Sequence, residues 1–447
     1  MPSPTSEAER GTPRVAVLAD SDTRWKWGAL TARRIAPEAP APTGFLLRGR
    51  ATPTARQLAE IGAEATAPRE VTGTEFLRAV VAEGYDVIVL ALVGGGVQAM
   101  LHGLAALAPD PRPVVVTGYV GVVYEKLADG LLLRHGADLV LANSRQDAER
   151  FRAVYEGVGA DPSPVAEAAL PFLGGDPYRP EAGRDTLCFA TQPSVPASRA
   201  DRSYILERLI GHARLHPGRE VLVKLRSRPG EHTTHLEELP YQRLAARIPG
   251  GPPPNLRLVH GHMGEVLDRT DLLVTLSSTA ALEALHRGIP TAVLTDLGIR
   301  EAHGNHHFIG SGLLTSFDRL DAGHRPVPDP RWLALQGVAA DGRYATAFDT
   351  VRERLTRLLA GPPLPPIRPY YTLTSAPGYL PGILARHRLA PDGTPLPGPE
   401  TAGAAGDTAP GNGVRRVMRE AVRGAARGAY RQGVQRVAPV IRRMGEL

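Results

Sequence analysis

Short apolar runs alternate with longer segments of helical periodicity along most of the chain. In the N-terminal part these runs are rich in Val, Leu and Ile and are bounded by polar, Gly or Pro residues, as expected for strands buried on both faces. The segments between them have helical length and helical spacing of apolar residues. Regular alternation of strand and helix predicts a doubly wound parallel sheet. The predicted strands of this first sheet are residues 14–19, 85–93, 113–117 and 137–142.

A second series of the same kind follows a Pro/Gly-rich passage at residues 157–184, which we interpret as an interdomain linker. We therefore predict an α/β protein with two tandem Rossmann-like domains, residues 14–175 and 176–365, and a cleft between them. Residues 1–13 are polar and Pro-rich and are predicted to be disordered. The predicted strands of the second domain are residues 187–190, 220–224, 256–259, 272–275 and 291–294.

Composition fits a soluble enzyme with two hydrophobic cores. The chain has 447 residues, 43% of them apolar, and no apolar run approaches the roughly 18 residues of a membrane-spanning helix. The opening residues lack the apolar core of a secretory signal, so we expect a cytoplasmic protein. The single cysteine, Cys188, lies within an apolar run, which predicts a buried strand residue rather than a nucleophile.

The most informative chemistry is a hydroxyl-rich turn between a predicted strand and a predicted helix. Ser277, Ser278 and Thr279 follow the strand at 272–275 and would place three hydroxyls and several backbone N–H groups at the carboxyl edge of the sheet. Such a turn can cradle a phosphate. Glu283 lies one helical turn further on the same face, where its carboxylate could accept hydrogen bonds from ribose hydroxyls. The alternative is that Ser278 or Thr279 only caps the helix.

The pattern Ser-Ser-Thr-Ala-x-x-Glu-Ala-x-x-x-Gly-x-Pro resembles the donor-binding loop of GT-B glycosyltransferases and their relatives. These relatives include bacterial sialyl- and polysialyltransferases, CDP-glycerol glycerophosphotransferases and non-hydrolysing UDP-N-acetylglucosamine epimerases. The whole chain is most similar to a group of bacterial proteins described as glycosyltransferases. The resemblance implies that Ser277, Ser278 and Thr279 hold the nucleotide phosphate and Glu283 the ribose. It also implies that residues 366–389 are the closing helix that crosses back to the first domain.

A second motif places cations at the end of a buried strand. Lys224 and Arg226 share one face by period-two geometry, so both could reach a phosphate. The corresponding strand of the sialyl and CDP-glycerol relatives carries Lys-x-His-Pro, whereas here Arg226 replaces the histidine. The alternative is a pair of solvated edge charges. His232 and His235 follow, but their spacing does not match a zinc protease motif, and we predict no metal site.

Two weaker donor elements accompany these motifs. Residues 191–194, Thr-Gln-Pro-Ser, resemble the loop that flanks the donor phosphate in GT-B proteins. The stretch from His260 to Val266 lies near the nucleobase in related folds, so His260 is a candidate base contact. The alternative for His260 is an ordinary surface loop position.

The first domain is expected to bind the acceptor, because its strand ends carry polar, aromatic and glycine residues where open α/β sheets bind ligands. Asp22 is the candidate general base for an acceptor hydroxyl, and Glu125 and His135 are alternates. Asp20 or Asp22 could instead cap the first helix. The sequence Asp20-Ser-Asp22 also matches the metal-binding Asp-x-Asp of the other glycosyltransferase fold, but its position after a first strand argues against that role.

The C-terminal end is predicted to be a separate module. Residues 390–413 are rich in Pro, Gly and Ala and predict a flexible linker. Residues 414–447 contain nine arginines and two glutamates, which account for the positive charge of a chain whose net charge is +6. Their spacing predicts a basic amphipathic helix suited to an anionic membrane surface at the inner membrane face. Nucleic-acid binding is not expected, because the tail has one aromatic residue and the body offers no basic face.

These observations predict a glycosyltransferase that moves a sugar from a nucleotide-activated donor to a cell-envelope or capsular glycan. The chemistry needs neither a cofactor nor a metal, because Lys224, Arg226 and the hydroxyl turn could neutralise the leaving nucleotide. A CMP-sugar suits the sialyltransferase-like resemblance, and a diphosphate donor stays open. The alternatives are glycerophosphotransferase or epimerase chemistry on the same fold, or an inactive nucleotide-sugar-binding scaffold.

Overall fold

The computed structural model describes residues 12–49, 51–61, 68–122, 127–226, 228, 239–338 and 343–397. Residues 1–396 cluster into one unit, separate from residues 397–447. All elements below belong to the first unit. The predicted basic tail at 414–447 and most of the predicted linker at 390–413 lie outside the described residues.

The first domain is built on a seven-stranded parallel sheet with the strand order β3-β2-β1-β4-β5-β6-β7. Six helices connect these strands. The strands are β1 (Val15–Ala19), β2 (Thr43–Leu47), β3 (Arg69–Val71), β4 (Val87–Ala91), β5 (Val114–Gly118), β6 (Leu139–Ala142) and β7 (Val165–Glu167). The helices are α1 (Asp22–Ile35), α2 (Ala55–Ile61), α3 (Gly73–Glu83), α4 (Gly94–Leu107), α5 (Leu127–Leu132) and α6 (Arg145–Gly157).

The second domain repeats this topology in a six-stranded sheet with the order β10-β9-β8-β11-β12-β13. The strands are β8 (Thr186–Ala190), β9 (Glu220–Lys224), β10 (Leu256–Val259), β11 (Leu272–Thr275), β12 (Thr291–Leu294) and β13 (Leu314–Thr315). The helices are α7 (Arg199–Leu215), α8 (Tyr241–Ala245), α9 (Met263–Leu267), α10 (Ala280–Arg287), α11 (Phe317–Asp321) and α12 (Pro330–Leu335). Short 3-10 helices lie at Glu301–His303, Asn305–Phe308 and Arg343–Thr346.

The central strands are buried on both faces, which explains their continuous apolar runs. Every residue of β1, β4 and β5 is buried, as is every residue of β8. Cys188 lies at the middle of β8, fully buried among residues of α9 and α10, and burial raises the pKa of its thiol to about 12. The prediction of a buried strand cysteine is confirmed.

The chain returns to the first domain upstream of the predicted closing segment. Helix α13 (Asp349–Ala360) packs against α1 and the strands β5 and β7. Its Val351 and Leu355 are buried in the core that covers one face of the first sheet. Helix α14 (Leu380–Arg386), within the predicted segment 366–389, then packs on α4. The predicted linker at 157–184 likewise contains a strand, β7, because Val165 and Ala166 pair with β6.

Within the residues that the structure describes, none of the helices has the length and hydropathy needed to cross a membrane. Helix α10 ends at a glycine. Gly288 ends this helix in the left-handed conformation, with φ of 77°, and the chain then enters β12. Glycine adopts that conformation without the steric cost that a side chain would add.

Candidate functional site

The candidate site lies where the carboxyl ends of the two sheets meet. In each sheet the strand order reverses between two central strands, β1 and β4 in the first and β8 and β11 in the second. Ligands of open α/β sheets bind in the crevice at such reversal points. The loops after β1 and β11 contain Asp22 and the Ser277–Thr279 turn, respectively, so the predicted site residues of both domains occupy the reversal points.

The hydroxyl turn is organised mainly by contacts within the second domain. The Ser277 hydroxyl is fully buried and donates to the carbonyl oxygen of His303, while its N–H donates to Oε1 of Gln192 at 3.1 Å. The Ser278 hydroxyl accepts from the N–H of Ala280 at 3.3 Å, and Thr279, the N-cap residue of α10, makes no side-chain capping bond. Ser277 therefore fixes the turn to Gln192 and His303 within the second domain.

Thr279 is the member of the turn that faces the first domain. A Cβ added to Gly121, in the loop after β5, would lie 2.6 Å from the Thr279 hydroxyl oxygen. No side chain larger than hydrogen fits between the two domains at this point without moving Thr279. Gly121 therefore permits the close approach of the two edges.

The predicted cations lie at the carboxyl end of β9. Lys224 ends this strand, and its Nζ donates to the carbonyl oxygen of Leu225 at 2.7 Å. Burial lowers the pKa of Lys224, because removal of water disfavours the ammonium form. Arg226 reaches across the cleft, where Nη2 lies 3.0 Å from Oδ1 of Asp22 and also donates to the Thr23 hydroxyl. The alternative that both are solvated edge charges does not fit these surroundings.

Glu283 lies in the first turn of α10 and is 8% exposed. Burial raises the pKa of this carboxyl, and the charges of Lys26, Arg287 and Lys224 oppose that rise. The Lys26 Nζ, in α1, lies 3.8 Å from Oε2 of Glu283 and 4.8 Å from the ring centroid of Phe172. Sequence reasoning did not identify Lys26, because a lysine between two tryptophans has no motif to mark it.

Two histidines follow β10. His260 is partly buried beyond the carboxyl end of this edge strand. His262 is the N-cap residue of α9, and burial lowers the pKa of its imidazole, with the positive charge of Lys26 acting in the same direction. The charge of Lys224 also acts on His262, which is therefore within electrostatic reach of the cations of the cleft.

The two aspartates after β1 have different roles. Asp20 accepts from the N–H of Val93 and from Arg24, both at 2.9 Å, and so joins the ends of β1 and β4 at the reversal point. Asp22 is the first residue of α1 and faces Arg226. The helix N-cap is Ser21, which makes no side-chain capping bond. The capping alternative for Asp20 is thus replaced by a bridge between strands.

Of the two alternate catalytic candidates, the structure describes only His135. Glu125 lies outside the described residues. His135 precedes β6 and therefore lies at the amino end of the first sheet, with its ring against Tyr155 and Tyr370. Because the cleft is formed by carboxyl ends, this position does not fit a catalytic role for His135. The histidines His232 and His235 also lie outside the described residues.

A buried carboxylate that sequence reasoning missed lines a small cavity between the domains. Asp147, in the first turn of α6, shares this cavity with Gly121 of the first domain and Leu282 and Gln336 of the second. Burial raises its pKa to about 6, opposed by Arg150 and by a hydrogen bond with Ser144. Neighbouring Gln146 also pairs with Gln336 across the domains. The sequence signal, a Ser-x-x-Asp helix start, indicates only a cap.

Within the part of the chain that the structure describes, a further cluster of ionisable groups lies at the amino end of the second sheet. His212, His216 and Asp321 come together there. Nε2 of His212 lies 2.9 Å from an Arg219 N–H, which can only donate, so Nδ1 carries the proton and donates to Asp321. Both nitrogens of His212 are thus engaged, and the cluster is explained as a hydrogen-bonded network.

Comparison with known proteins assigns the chain to a family. The family model described as "Putative glycosyltransferase (DUF6716)" matches residues 15–358, and the chain belongs to that family. The protein is thus a glycosyltransferase-family enzyme with two Rossmann-like domains arranged as in GT-B proteins. The predicted fold and family resemblance are confirmed for this two-domain part. None of the curated proteins matches the chain.

Solved structures share the fold at low identity. A UDP-N-acetylglucosamine 2-epimerase is 11% identical with a TM-score of 0.50, covering 78% of this chain and 96% of that chain. The UDP-GlcNAc 2-epimerase from Neisseria meningitidis bound to UDP-GlcNAc is 10% identical with a TM-score of 0.48, covering 77% and 100%. The spinosyn rhamnosyltransferase SpnG is 13% identical with a TM-score of 0.42, covering 77% and 96%. Identities this low show the fold alone.

Proposed function

We propose that this protein transfers a sugar from a nucleotide-activated donor to a hydroxyl of a cell-envelope or capsular glycan. The observation that carries the proposal is that Arg226, just past the carboxyl end of β9, pairs with Asp22 across the cleft at 3.0 Å, while the charge of Lys224 acts on Glu283 in the helix that follows the Ser277–Thr279 turn. Cations at such a crevice match the phosphate of a nucleotide, and a carboxylate opposite them matches the proton that an acceptor hydroxyl must lose.

The donor would bind to the second domain. Lys224, Arg226, Ser278 and Thr279 surround its phosphate, and Glu283 accepts hydrogen bonds from the ribose. Ser277 supports the turn from behind, through Gln192 and His303. His260 or its neighbour His262 lies near the nucleobase. A CMP-sugar and a nucleoside diphosphate sugar are both compatible with cations in this number.

The reaction would be a direct displacement at the anomeric carbon. Asp22 takes the proton of the acceptor hydroxyl as its oxygen attacks, and the bond to the nucleotide breaks with its electron pair leaving on the phosphate. Lys224 and Arg226 neutralise the charge that develops there, where a buried site strengthens the interaction. No step requires Glu125 or His135.

Attachment to an anionic membrane surface through residues 414–447 would bring the enzyme to an envelope acceptor at the inner membrane face. This part of the proposal rests on the arginine content of the tail, because the segment lies outside the described residues. Each Arg near such a surface contributes about 1 kcal/mol, so binding to anionic vesicles should fade as salt rises.

The test is a thermal-shift and calorimetric screen with CMP, CDP, UDP and GDP, followed by assays of donor turnover. A nucleotide at about 100 times its dissociation constant adds about 2.7 kcal/mol of stability. Arg226→Gln should weaken binding of the nucleotide that the wild type selects. Arg257→Gln is the matched control, because Arg257 pairs with Glu220 on the same domain and is largely exposed.

Three results would decide against the proposal. Equal loss of affinity in Arg226→Gln and Arg257→Gln would remove the phosphate role of Arg226. Release of an epimerised nucleotide-sugar without an acceptor would replace transfer by epimerase chemistry. Nucleotide binding with no turnover of any donor, across a panel of glycan acceptors, would leave a binding scaffold.

A further inference from the structure

Two ion pairs join the same face of one helix to the donor side of the cleft. Asp22 and Lys26 are four residues apart in α1 and therefore lie on one face. Asp22 pairs with Arg226 at 3.0 Å, and Lys26 pairs with Glu283 at 3.8 Å. Both partners belong to the second domain, so each pair bridges the two domains.

Helix α1 is held firmly enough to make these pairs specific. Trp25 and Trp27 are 2% and 1% exposed and pack into the core of the first domain, on either side of Lys26 in the sequence. Lys26 is thereby directed out of the core toward the cleft, and its side chain is 17% exposed. The aromatic ring of Phe172 supports its ammonium group.

The charges in the cleft are paired in a pattern that a phosphate would rearrange. Nη2 of Arg226 donates to both Asp22 and Thr23, so a phosphate that binds at Nη2 would replace one of these two acceptors. Lys26 and Lys224 both act electrostatically on Glu283. The diphosphate of a nucleoside diphosphate sugar would draw Arg226 and Lys26 toward itself, because it carries two negative charges and each carboxylate carries one.

We propose that the Asp22–Arg226 and Lys26–Glu283 ion pairs are exchanged for contacts with the donor phosphate, so that donor binding releases both carboxylates. This inference rests on the proposed function and adds Lys26 of the first domain to the donor site. The released Asp22 faces the acceptor and takes its proton, while the released Glu283 turns to the ribose. Before donor binding, the carboxylate of Asp22 is paired with Arg226 and competes with the phosphate for this guanidinium group.

The exchange predicts opposite effects on binding and on turnover. Asp22→Asn removes the competing charge, so calorimetry should show UDP or CDP binding about two- to fivefold more tightly, the range of a partly exposed ion pair. Turnover of the donor should nevertheless be lost. A purely structural role for the Asp22–Arg226 pair would not produce tighter binding.

Lys26→Gln should weaken binding of the same nucleotide about tenfold or more, because a hydrogen bond to a charged group is lost. Lys26→Arg should restore most of the affinity. Gln146→Ala is the matched control, since Gln146 joins the domains through an uncharged contact with Gln336. It should leave nucleotide affinity within about twofold of wild type. Thermal unfolding of each variant verifies that it is folded.

The outcomes separate this inference from the function on which it rests. If the wild type binds a nucleotide and Asp22→Asn binds it with the same or weaker affinity, the exchange is overturned and the proposed function is not affected. Unchanged affinity in Lys26→Gln, or an equal loss in Gln146→Ala, would also overturn it. Failure of the wild type and every variant to bind any nucleotide would overturn the proposed function, and the exchange with it.

Discussion

The two carboxyl edges that meet in the cleft share a topology but differ in charge. The edge of the first sheet presents Asp20, Asp22 and the glycine-containing loop at Gly121, whereas the edge of the second presents Lys224, Arg226 and hydroxyl groups. The same strand order thus supports two chemical environments, because the loops after the strands and not the strands determine what is bound. These opposite charges attract each other, which explains the Asp22–Arg226 pair across the cleft, whereas the Lys26–Glu283 pair has the reverse polarity.

The largest effect on turnover is expected for Asp22, and its neighbour Asp20, on the same edge, should affect stability instead. Asp22→Asn should lower turnover about 100-fold or more, the usual contribution of a general base, with little change in unfolding. Asp20→Asn should instead cost about 1 to 2 kcal/mol of stability, because Asp20 joins β1 to β4 through Val93. Donor consumption and urea unfolding measure the two effects. Equal losses of turnover and stability in both variants would end the distinction.

Lys224 on the second edge should show an opposition between stability and binding. Because burial lowers its pKa, the folded protein binds this proton less tightly than the unfolded chain does. This difference lowers the free energy of unfolding at neutral pH, and the loss disappears as the pH rises above the ordinary lysine pKa. Lys224→Met should therefore raise the melting temperature at pH 7 and weaken nucleotide binding by about 1.5 to 3 kcal/mol. A variant that melts lower and binds normally would contradict both expectations.

Asp147 gives the first edge a third carboxylate, which is expected to affect stability through pH. Its pKa is about 6 in the folded protein and about 4 in the unfolded chain, so the folded state retains the proton more strongly. Stability therefore falls as the pH rises from about 4 to about 6 and stays reduced above that range. Asp147→Asn should add about 2 kcal/mol at pH 7 and almost nothing at pH 4.

Chemical unfolding of the Asp147→Asn variant at both pH values measures this difference. Asp161→Asn is a useful control, because the Asp161 carboxyl is hydrogen-bonded to Ser163 and its pKa is lowered instead. The control should lose stability at pH 7. A gain that is the same at pH 4 and pH 7 would show that the Asp147 charge is not its cause.

The smallest effects separate the two serines of the second edge. Ser277→Ala should cost about 1 kcal/mol of stability, because the buried hydroxyl donates to His303. Ser278→Ala should weaken nucleotide binding by a comparable amount and cost only the long hydrogen bond from the Ala280 N–H. Calorimetry and urea unfolding of the two single variants test this assignment. The reverse pattern would place Ser277 against the phosphate.

The strands that can be predicted from the sequence are those that are buried on both faces and therefore consist of a continuous apolar run. All five strands predicted for the second domain are present within one residue of their predicted bounds. By contrast β3 and β7 are three residues long and β13 is two, too short for a recognisable apolar run. Strand β2 follows a Pro-rich stretch and lies in an interval where the sequence predicts helix. These short strands are defined by their pairing with a neighbouring strand.

The site was predictable in composition but not in pairing. The position of Ser277–Thr279 and of the Lys224–Arg226 pair follows from local sequence, because each comes directly after a recognisable strand. The contacts of Asp22 with Arg226 and of Lys26 with Glu283 join residues more than 200 positions apart. No local pattern specifies such contacts. His135 shows the same limitation, since only the sheet topology reveals at which end of a strand it lies.

The buried cysteine of β8 can serve as a labelling probe for opening of the second domain. Alkylating reagents attack the thiolate, and burial both shields Cys188 and raises its pKa to about 12. Labelling at neutral pH therefore reports how often the sheet opens, and since the chain has one cysteine the signal needs no engineering. A nucleotide that binds the closed site would slow labelling by the factor 1 + [L]/Kd. Donors could thus be ranked by protection of one thiol, without knowledge of the acceptor.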